Sequence, residues 1–148
     1  MEISTKYFDR ISVPEEDVVF FEHGIFGFEK YKKFVLINFE PDNDDIMCLQ
    51  SMQDSQLAFV IMNPFNIQAD YCPSLSDMDI KNLDITETTQ GVLYYVICVV
   101  KDEIADSTVN LKCPIVINPE NKKAKQLILE EEQYTFRHRL SQIAEEEA

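Results

Sequence analysis

The sequence predicts a mostly β protein that folds as a single antiparallel β-barrel-like domain with one short helix. About nine short apolar runs follow one another at near-regular spacing, which is typical of barrels and sandwiches. The chain has 148 residues, of which 45% are hydrophobic, enough for one domain with its own core. We assign residues 1–140 to this domain and residues 141–148, which contain a run of three glutamates, to an acidic C-terminal tail.

The strands are predicted from branched and aromatic runs that are bounded by turn residues. The longest run, Val92–Val100, predicts a central strand that is covered on both faces. A turn is predicted where Asn63 precedes Pro64. The predicted strands are Ile3–Phe8, Asp17–Phe21, Lys33–Asn38, Ile46–Ser51, Leu57–Met62, Val92–Val100, Ile115–Ile117 and Leu127–Leu129.

The last two predicted strands form a hairpin. A polar segment, Asn118–Lys125, separates them and predicts a loose connecting loop. Pro114 lacks an N–H group, so we place it at the start or at a bulge of an edge-like strand. The short helix is predicted at Asp77–Leu83, because Ser76 and the following residues match a capping box.

One loop stands out because the chain has only 3 glycines and two of them, Gly24 and Gly27, lie close together in it. Such glycines indicate backbone with positive φ or a close approach to a neighbour. The segment is not a phosphate-binding loop, because the Gly-x-x-x-x-Gly-Lys pattern is missing. His23 in this loop is interpreted as an ordinary loop residue.

The net charge of −14 and the pI of about 4.4 argue against direct binding of nucleic acid, whose phosphates such a surface repels. The negative charge allows two interpretations. It belongs to a solvated surface that keeps the protein soluble, or to a surface that attracts a basic partner. We expect no membrane-spanning helix and no secretory signal, and therefore a cytoplasmic protein.

No catalytic or metal-binding pattern is found. The four cysteines, Cys48, Cys72, Cys98 and Cys113, match no zinc module. There is no Gly-x-Ser-x-Gly elbow, no His-Glu-x-x-His motif and no dinucleotide fingerprint. We therefore expect neither an enzyme nor a bound metal or cofactor. The alternative is a small-molecule-binding or hydrolytic β-barrel, which a large closed pocket with converging polar groups would favour.

Four segments, in the same order, resemble the bacterial FliW family of flagellar assembly factors. They are Phe21–Glu29, Leu49–Ser51, Ala58–Pro64 and the C-terminal signature, which combines Asn-Leu-x-x-Pro-Ile-x-Ile-Asn, Lys-x-Lys-Gln-x-Ile-Leu and Tyr-x-x-Arg-His. Two positions depart from the family pattern. Phe26 replaces a proline, so its loop is expected to be less rigid and more apolar. Ala124 replaces a glycine, so the backbone is expected to avoid positive φ there.

The resemblance implies a non-catalytic, β-barrel-like regulatory protein with two partners. It would hold newly made flagellin in the cytoplasm. When free, it would bind and antagonise CsrA, an RNA-binding translational repressor, and so couple flagellin synthesis to flagellar assembly. An acidic body beside the RNA-binding surface of CsrA would repel incoming phosphates.

Three phenylalanines in predicted connections are candidates for partner contact: Phe26, Phe28 and Phe65. Aromatic residues in connections are less often core than those in strands, and binding hot spots are enriched in aromatic residues. The alternative is that all three fold back onto the barrel as plugs. Phe26 is expected to be the most exposed, because a tight surface turn favours proline at its position.

Overall fold

The computed structural model describes residues 1–140, and their regular structure is mainly β. The predicted tail lies outside the described residues. Two short α-helices are present in the described part, α1 (Pro64–Ile67) and α2 (Asp77–Asn82). The strands are β1 (Glu2–Ser4), β2 (Arg10–Ser12), β3 (Val18–Phe21), β4 (Lys33–Asn38), β5 (Ile46–Ser51), β6 (Ala58–Met62), β7 (Leu93–Val99), β8 (Thr108–Val109), β9 (Ile115–Asn118), β10 (Lys123–Gln126) and β11 (His138–Arg139).

Within residues 1–140, seven strands close a barrel in the order β3-β4-β5-β6-β7-β9-β10. The predicted barrel-like fold is confirmed, with one difference in strand direction. β10 runs parallel to β3, with Ala124 beside Phe21, whereas the other neighbours in the ring are antiparallel. The two parallel strands lie far apart in the sequence, so no tight hairpin turn forces them to run in opposite directions.

The barrel interior is filled by apolar side chains that alternate along the strands, as the two-residue period of a strand requires. Phe21 and Phe34 are fully buried and pack edge to face, with ring centroids 5.4 Å apart. The buried interior residues are Val19, Phe21, Ile25, Phe34, Met47, Leu49, Ile61, Tyr95, Ile115, Ile117 and Ala124. Side chains therefore occupy the space that a ligand-binding barrel would leave open.

A second core covers the outer face of the barrel. It joins the outward side chains of β6, β7 and β9 to the helical segment and to the chain after β10. β7 belongs to both cores, since Tyr95 points inward and Val96 outward. The prediction of a central strand covered on both faces is thus confirmed for the middle of β7, whereas Leu93 and Val99 at its two ends are exposed. The buried outer-core residues are Ile67, Tyr71, Leu83, Val96, Cys98, Val109, Leu111, Val116, Leu127, Leu129 and Tyr134.

The predicted second strand of the C-terminal hairpin was wrong. β10 is formed by Lys123–Gln126, whereas Leu127–Leu129 is not a strand. The turn is correspondingly tighter: the N–H of Lys122, which has a φ of +64°, donates to the carbonyl of Asn118 at 2.9 Å. Only Ala124 is apolar among the residues of β10, so the strand has too weak a hydrophobic pattern to be recognised. Ala124 does avoid positive φ, as expected.

Two further differences concern the start of the chain and the number of helices. The predicted strand Ile3–Phe8 ends at Ser4, because the Thr5 hydroxyl accepts from the N–H of Phe8 and donates to the carbonyl of Asp9, which turns the chain. The predicted Asn-Pro turn is the start of α1, in which Asn63 caps the helix and proline takes its first turn. The described residues therefore contain two short α-helices, together with single 3-10 turns at Glu15–Asp17 and Ile104–Asp106, rather than one helix.

The β9–β10 hairpin holds α2 in place. The side-chain amides of Asn118 and Asn121 both donate to the carbonyl of Leu83, at 2.9 and 3.1 Å. Lys125 pairs with Asp79 at 2.7 Å in a partly buried site. The capping box predicted at Ser76 is confirmed, with Asp79 as its acidic member. The C-terminal signature of the sequence is thus largely explained by the contacts that build the fold.

The glycine loop, residues 22–29, turns tightly across one mouth of the barrel. Gly24 has a φ of +71°, and a Cβ at this position would lie 2.4 Å from the Cα of Glu29. Gly27 has a φ of +88° and open space around it, and its N–H donates to the Glu29 carboxylate at 3.0 Å. That hydrogen bond lowers the pKa of Glu29. Positive φ at both glycines, and close approach at Gly24, agree with the sequence prediction.

Replacing Gly24 with alanine should destabilise the protein by about 3 kcal/mol or more, since the added Cβ meets backbone atoms that cannot move aside. Gly27→Ala is the matched control. Gly27→Ala strains the backbone in the same left-handed region, but its added Cβ meets no neighbouring atom. We therefore expect the free energy of unfolding to fall by about 1–2 kcal/mol. Urea unfolding of both variants measures the difference, and equal losses would contradict this view of the loop.

The Asp79–Lys125 pair should make stability depend on pH. Burial raises the pKa of Asp79, but the hydrogen bonds from Lys125 and Ser76 outweigh it, so the pKa is lowered overall. A carboxyl with a lowered pKa contributes stability above its unfolded pKa of about 3.9, and that stability is lost as the pH falls through the folded value. Asp79→Asn should therefore lower the free energy of unfolding by about 1 kcal/mol at neutral pH.

The same comparison by urea unfolding near pH 3 should give a smaller difference, because this pH lies below the unfolded pKa, where the stability contributed by the lowered pKa of Asp79 declines. Asp84→Asn is the control, since Asp84 pairs with Lys123 at an exposed position, where ion pairs contribute little. A loss for Asp79→Asn that is the same at both pH values would contradict the assignment.

Candidate partner-binding surfaces

The structure places the three candidate phenylalanines at opposite ends of the barrel. Phe26 and Phe28 lie in the glycine loop, beside the start of β6 and the end of β7; we call this the loop end. Phe65 lies in α1, beside the end of β6 and the start of β7. We call this the acidic end, because Glu16, Asp17 and Asp44 surround it. The candidates therefore divide between two separate surfaces.

Phe26 is the most exposed of the three, at 46%, as expected. It precedes Gly27 in a turn closed by a 2.7 Å hydrogen bond from the N–H of Phe28 to the carbonyl of Ile25. With positive φ at Gly27 and not at Phe26, this is a type II turn, in which proline is common at the position that Phe26 takes. The aromatic ring of Phe26 is thus held at the surface by a turn whose backbone requires positive φ at Gly27.

Gln126 fixes this turn to the barrel wall. Its side-chain oxygen accepts from the N–H of Phe26 at 2.9 Å, and its side-chain nitrogen donates to the carbonyl of Cys113 at 3.2 Å. The side chain is buried, so both hydrogen bonds are shielded from water. The glutamine of the C-terminal signature therefore positions the phenylalanine of the loop, 100 residues away in the sequence.

The other two phenylalanines are partly packed. Phe28 is 37% exposed and lies edge-on against Phe59, with centroids 5.2 Å apart. Phe65 is 40% exposed and contacts the rings of Tyr71 and Tyr94 at 5.9 and 5.8 Å. Each ring therefore has one face in the protein and one face available to a partner. None of the three candidates is a fully buried plug.

An apolar cleft of about 370 Å³ opens at the loop end, between Phe26 and the end of β7. Phe136 and Val99 line it and are exposed by 60% and 52%. Neither residue was predicted as a contact. Phe136 lies in a segment without regular structure, where the reasoning that selected Phe26 applies equally. Val99 was not selected because its run was interpreted as wholly buried.

A cleft of about 450 Å³ opens at the acidic end. Buried barrel residues, including Met47 and Tyr95, form its floor, and the hydroxyl of Tyr95 donates to the sulfur of Met47 at 3.3 Å. Burial raises the pKa of Tyr95, and the nearby carboxylates of Asp44 and Asp45 raise it further. The negative field of this end therefore reaches the floor of the cleft.

Three of the four cysteines are buried, which agrees with a structural role for them. Cys48, Cys98 and Cys113 are buried, while Cys72 is exposed. Burial raises the pKa of the Cys48 thiol to about 11 and also raises the pKa of Cys98 and of Cys113. These three thiols are therefore protonated at neutral pH and behave as small apolar side chains.

Among residues 1–140, no group of three or more His, Cys, Asp or Glu side chains is arranged to hold a metal ion. None of the helices in that part of the chain is long and apolar enough to cross a membrane. His23 is exposed in the glycine loop and forms part of no such cluster.

Comparison with known proteins gives a consistent result. The flagellar assembly factor FliW of Ruminiclostridium cellulolyticum is 38% identical over 138 residues, which cover 93% of both chains. The factor of the same name from Geobacillus kaustophilus is 41% identical over 140 residues, which cover 95% of both chains. A crystal structure of the flagellar assembly factor FliW matches with a TM-score of 0.86 and 41% identity, covering 95% of this chain and 96% of that one.

The family model described as FliW protein matches residues 2–140, which are nearly all of the residues that the structure describes. The resemblance found in the four sequence segments therefore extends over the complete barrel and its outer core. The family name is that of an assembly factor and indicates no catalytic activity. From this match and from relatives of similar length, we conclude that the chain belongs to the FliW family.

Proposed function

We propose that this chain is a non-catalytic regulatory protein of the cytoplasm that binds flagellin and, when free, binds and antagonises the translational repressor CsrA. Synthesis of flagellin is thereby coupled to flagellar assembly. The observation that carries the proposal is the FliW membership of residues 2–140. Relatives that align over 93–95% of this chain are named flagellar assembly factors, so a role in assembly involves the barrel as a whole.

The packing of the barrel favours binding of macromolecules over binding of a small molecule. Phe21, Phe34 and Leu49 are fully buried in the interior and fill it. The clefts that the described residues line lie at the surface and open to solvent. A small-molecule-binding or hydrolytic barrel would instead need an enclosed pocket with converging polar groups.

The acidity of the chain supports the proposed antagonism of CsrA. A net charge of −14 produces a field that attracts a basic protein and speeds its association. The same field opposes the approach of RNA phosphates once the complex has formed. Repression can therefore be relieved even if the RNA-binding surface of CsrA is not covered.

The loop end is the best candidate for a partner contact. Phe26, Val99 and Phe136 present exposed apolar surface around one cleft, and aromatic residues are enriched among binding hot spots. The hydrogen bond from Phe26 to buried Gln126 holds the loop before a partner arrives, which reduces the entropy cost of binding. Phe28 and Phe65 stay as proposed secondary contacts.

Size-exclusion chromatography tests the two-partner proposal. Purified protein should form one complex with flagellin and another with CsrA. With both partners in excess, no species that contains all three proteins should elute, because the two partners are proposed to exclude each other. Failure to form either binary complex at micromolar concentrations would contradict the proposed function, and a stable ternary complex would contradict the exclusion.

Replacing Phe26 with alanine tests the loop end. The side chain is about half exposed, so the melting temperature should change little, while binding of one partner should weaken by about 2 kcal/mol. Phe20→Ala is the matched control, because Phe20 is 42% exposed on the outer wall of the barrel. Isothermal titration calorimetry measures affinity, and thermal unfolding measures stability.

Two results would overturn the role of Phe26. A stability loss of about 3–5 kcal/mol would mean that the ring is a plug. Equal affinities of wild type, Phe26→Ala and Phe20→Ala for both partners would mean that the loop end is not a contact surface.

A further inference from the structure

We infer that the acidic end of the barrel is a separate recognition site for an extended basic peptide segment in which lysine or arginine alternates with aliphatic residues. This goes beyond the proposed function, because it assigns a ligand chemistry to the surface opposite Phe26 and holds whichever partners the protein has. The cleft of about 450 Å³ falls within the usual size range of ligand pockets.

The cleft exposes apolar surface to solvent. The interior side chains of Met47, Tyr95 and Ile117 form its floor. Leu36 is partly exposed and Leu93 is 36% exposed above them. Both leucines belong to barrel strands, so their positions are fixed by the sheet. An aliphatic side chain that enters the cleft would bury this surface without rearranging the barrel.

The rim of the cleft is negatively charged. Glu16, Asp17 and Asp44 are exposed, and Lys122 is the one basic residue among the described residues that line the cleft. The Asn38 amide donates to the Asp44 carboxylate at 2.7 Å and orients it at the rim. Three carboxylates against one ammonium leave a negative rim around an apolar floor, and charge complementarity selects a cationic ligand.

The acidic and the apolar groups lie on different sides of the ring of strands. The carboxylates lie at the ends of β3, β4 and β5, where Glu16 and Asp17 precede β3 and Asp44 precedes β5. Phe65 and Leu93 lie on the other side, at the end of β6 and the start of β7. The cleft thus has one acidic side and one apolar side. An extended segment with alternating residues presents basic groups to one side and aliphatic groups to the other.

The probe for this site is the blocked pentapeptide Lys-Leu-Lys-Leu-Lys, titrated into the ¹⁵N-labelled full-length chain and followed by ¹H–¹⁵N correlation spectra. We expect the largest shifts at amides around Leu36, Met47 and Leu93. Two further peptides separate the contributions. Glu-Leu-Glu-Leu-Glu keeps the aliphatic residues and reverses the charge, whereas Lys-Gly-Lys-Gly-Lys keeps the charge and removes the aliphatic residues. Both should bind about tenfold more weakly or worse.

A pair of charge reversals locates the site. The double variant Glu16→Lys with Asp17→Lys should bind the Lys-Leu-Lys-Leu-Lys peptide about tenfold more weakly, or worse. Asp102→Lys with Glu103→Lys is the matched control, because it changes the net charge equally at two adjacent exposed residues beyond the opposite end of the barrel. The control should change affinity by less than about threefold. Folding of both variants is checked by the dispersion of their own spectra.

Four results would overturn the inference. They are absence of shifts at millimolar peptide, shifts spread over the acidic surface away from the cleft, equal weakening by the two double reversals, and equal binding of the glutamate peptide. Absence of shifts would mean that the cleft binds no such peptide. Spread shifts, or equal weakening by the two double reversals, would mean that the negative charge acts only as a diffuse field. The fourth would mean that apolar contact alone governs the cleft. Because the probe is synthetic, none of these results bears on whether flagellin and CsrA are the partners.

Discussion

Closure of the barrel through β10 is the constraint on which the other features depend. This strand of four residues pairs with β9 on one side and with β3 on the other. Its alternate side chains face two environments. Ala124 and Gln126 point inward, where Gln126 holds the turn of Phe26, while Lys125 points outward to Asp79 of α2. A shift of one residue in register would exchange these faces, place a lysine inside the barrel and release both the glycine loop and the helix.

Two consequences for recognition follow from this construction. The interior is filled, and much of the outer face of β6, β7 and β9 is covered by the second core. Each mouth of the barrel carries a cleft in which apolar side chains meet solvent. The mouths differ in chemistry: the loop end presents exposed aromatic and aliphatic side chains, and the acidic end adds carboxylates around an apolar floor. A binder with two such surfaces can receive partners of different character on one rigid framework.

The parts of the fold that the sequence predicts well are those in which one local signal dominates. β4, β5 and β7 are continuous apolar runs, and α2 has a complete capping box. The prediction missed β10 because its two lysines are outward-facing strand residues. Lys125 pairs with Asp79 and Asn82 of α2, and Lys123 pairs with Asp84 just after that helix. Leu127 and Leu129 were assigned to a strand because apolar residues indicate burial. Both residues are buried, but in the outer core and not in a strand of the barrel. The exposure of Phe26, the largest among the three candidate phenylalanines, follows from turn chemistry, whereas the cleft at the loop end depends on Phe136, which tertiary folding brings beside Phe26.

Recognition of partners at the mouths of this barrel is tested most directly by hydrogen–deuterium exchange. Exchange of the full chain is compared free, with saturating flagellin and with saturating CsrA. At least one partner should slow exchange in residues 22–29 and at Phe136 and Arg137, which line the cleft at the loop end. The β1–β2 hairpin, which contacts Gln50 of β5 through the N–H of Lys6, should exchange as in the free protein. Protection by both partners that is confined to β1, β2 and the outer face of α2, with both mouths unchanged, would contradict it.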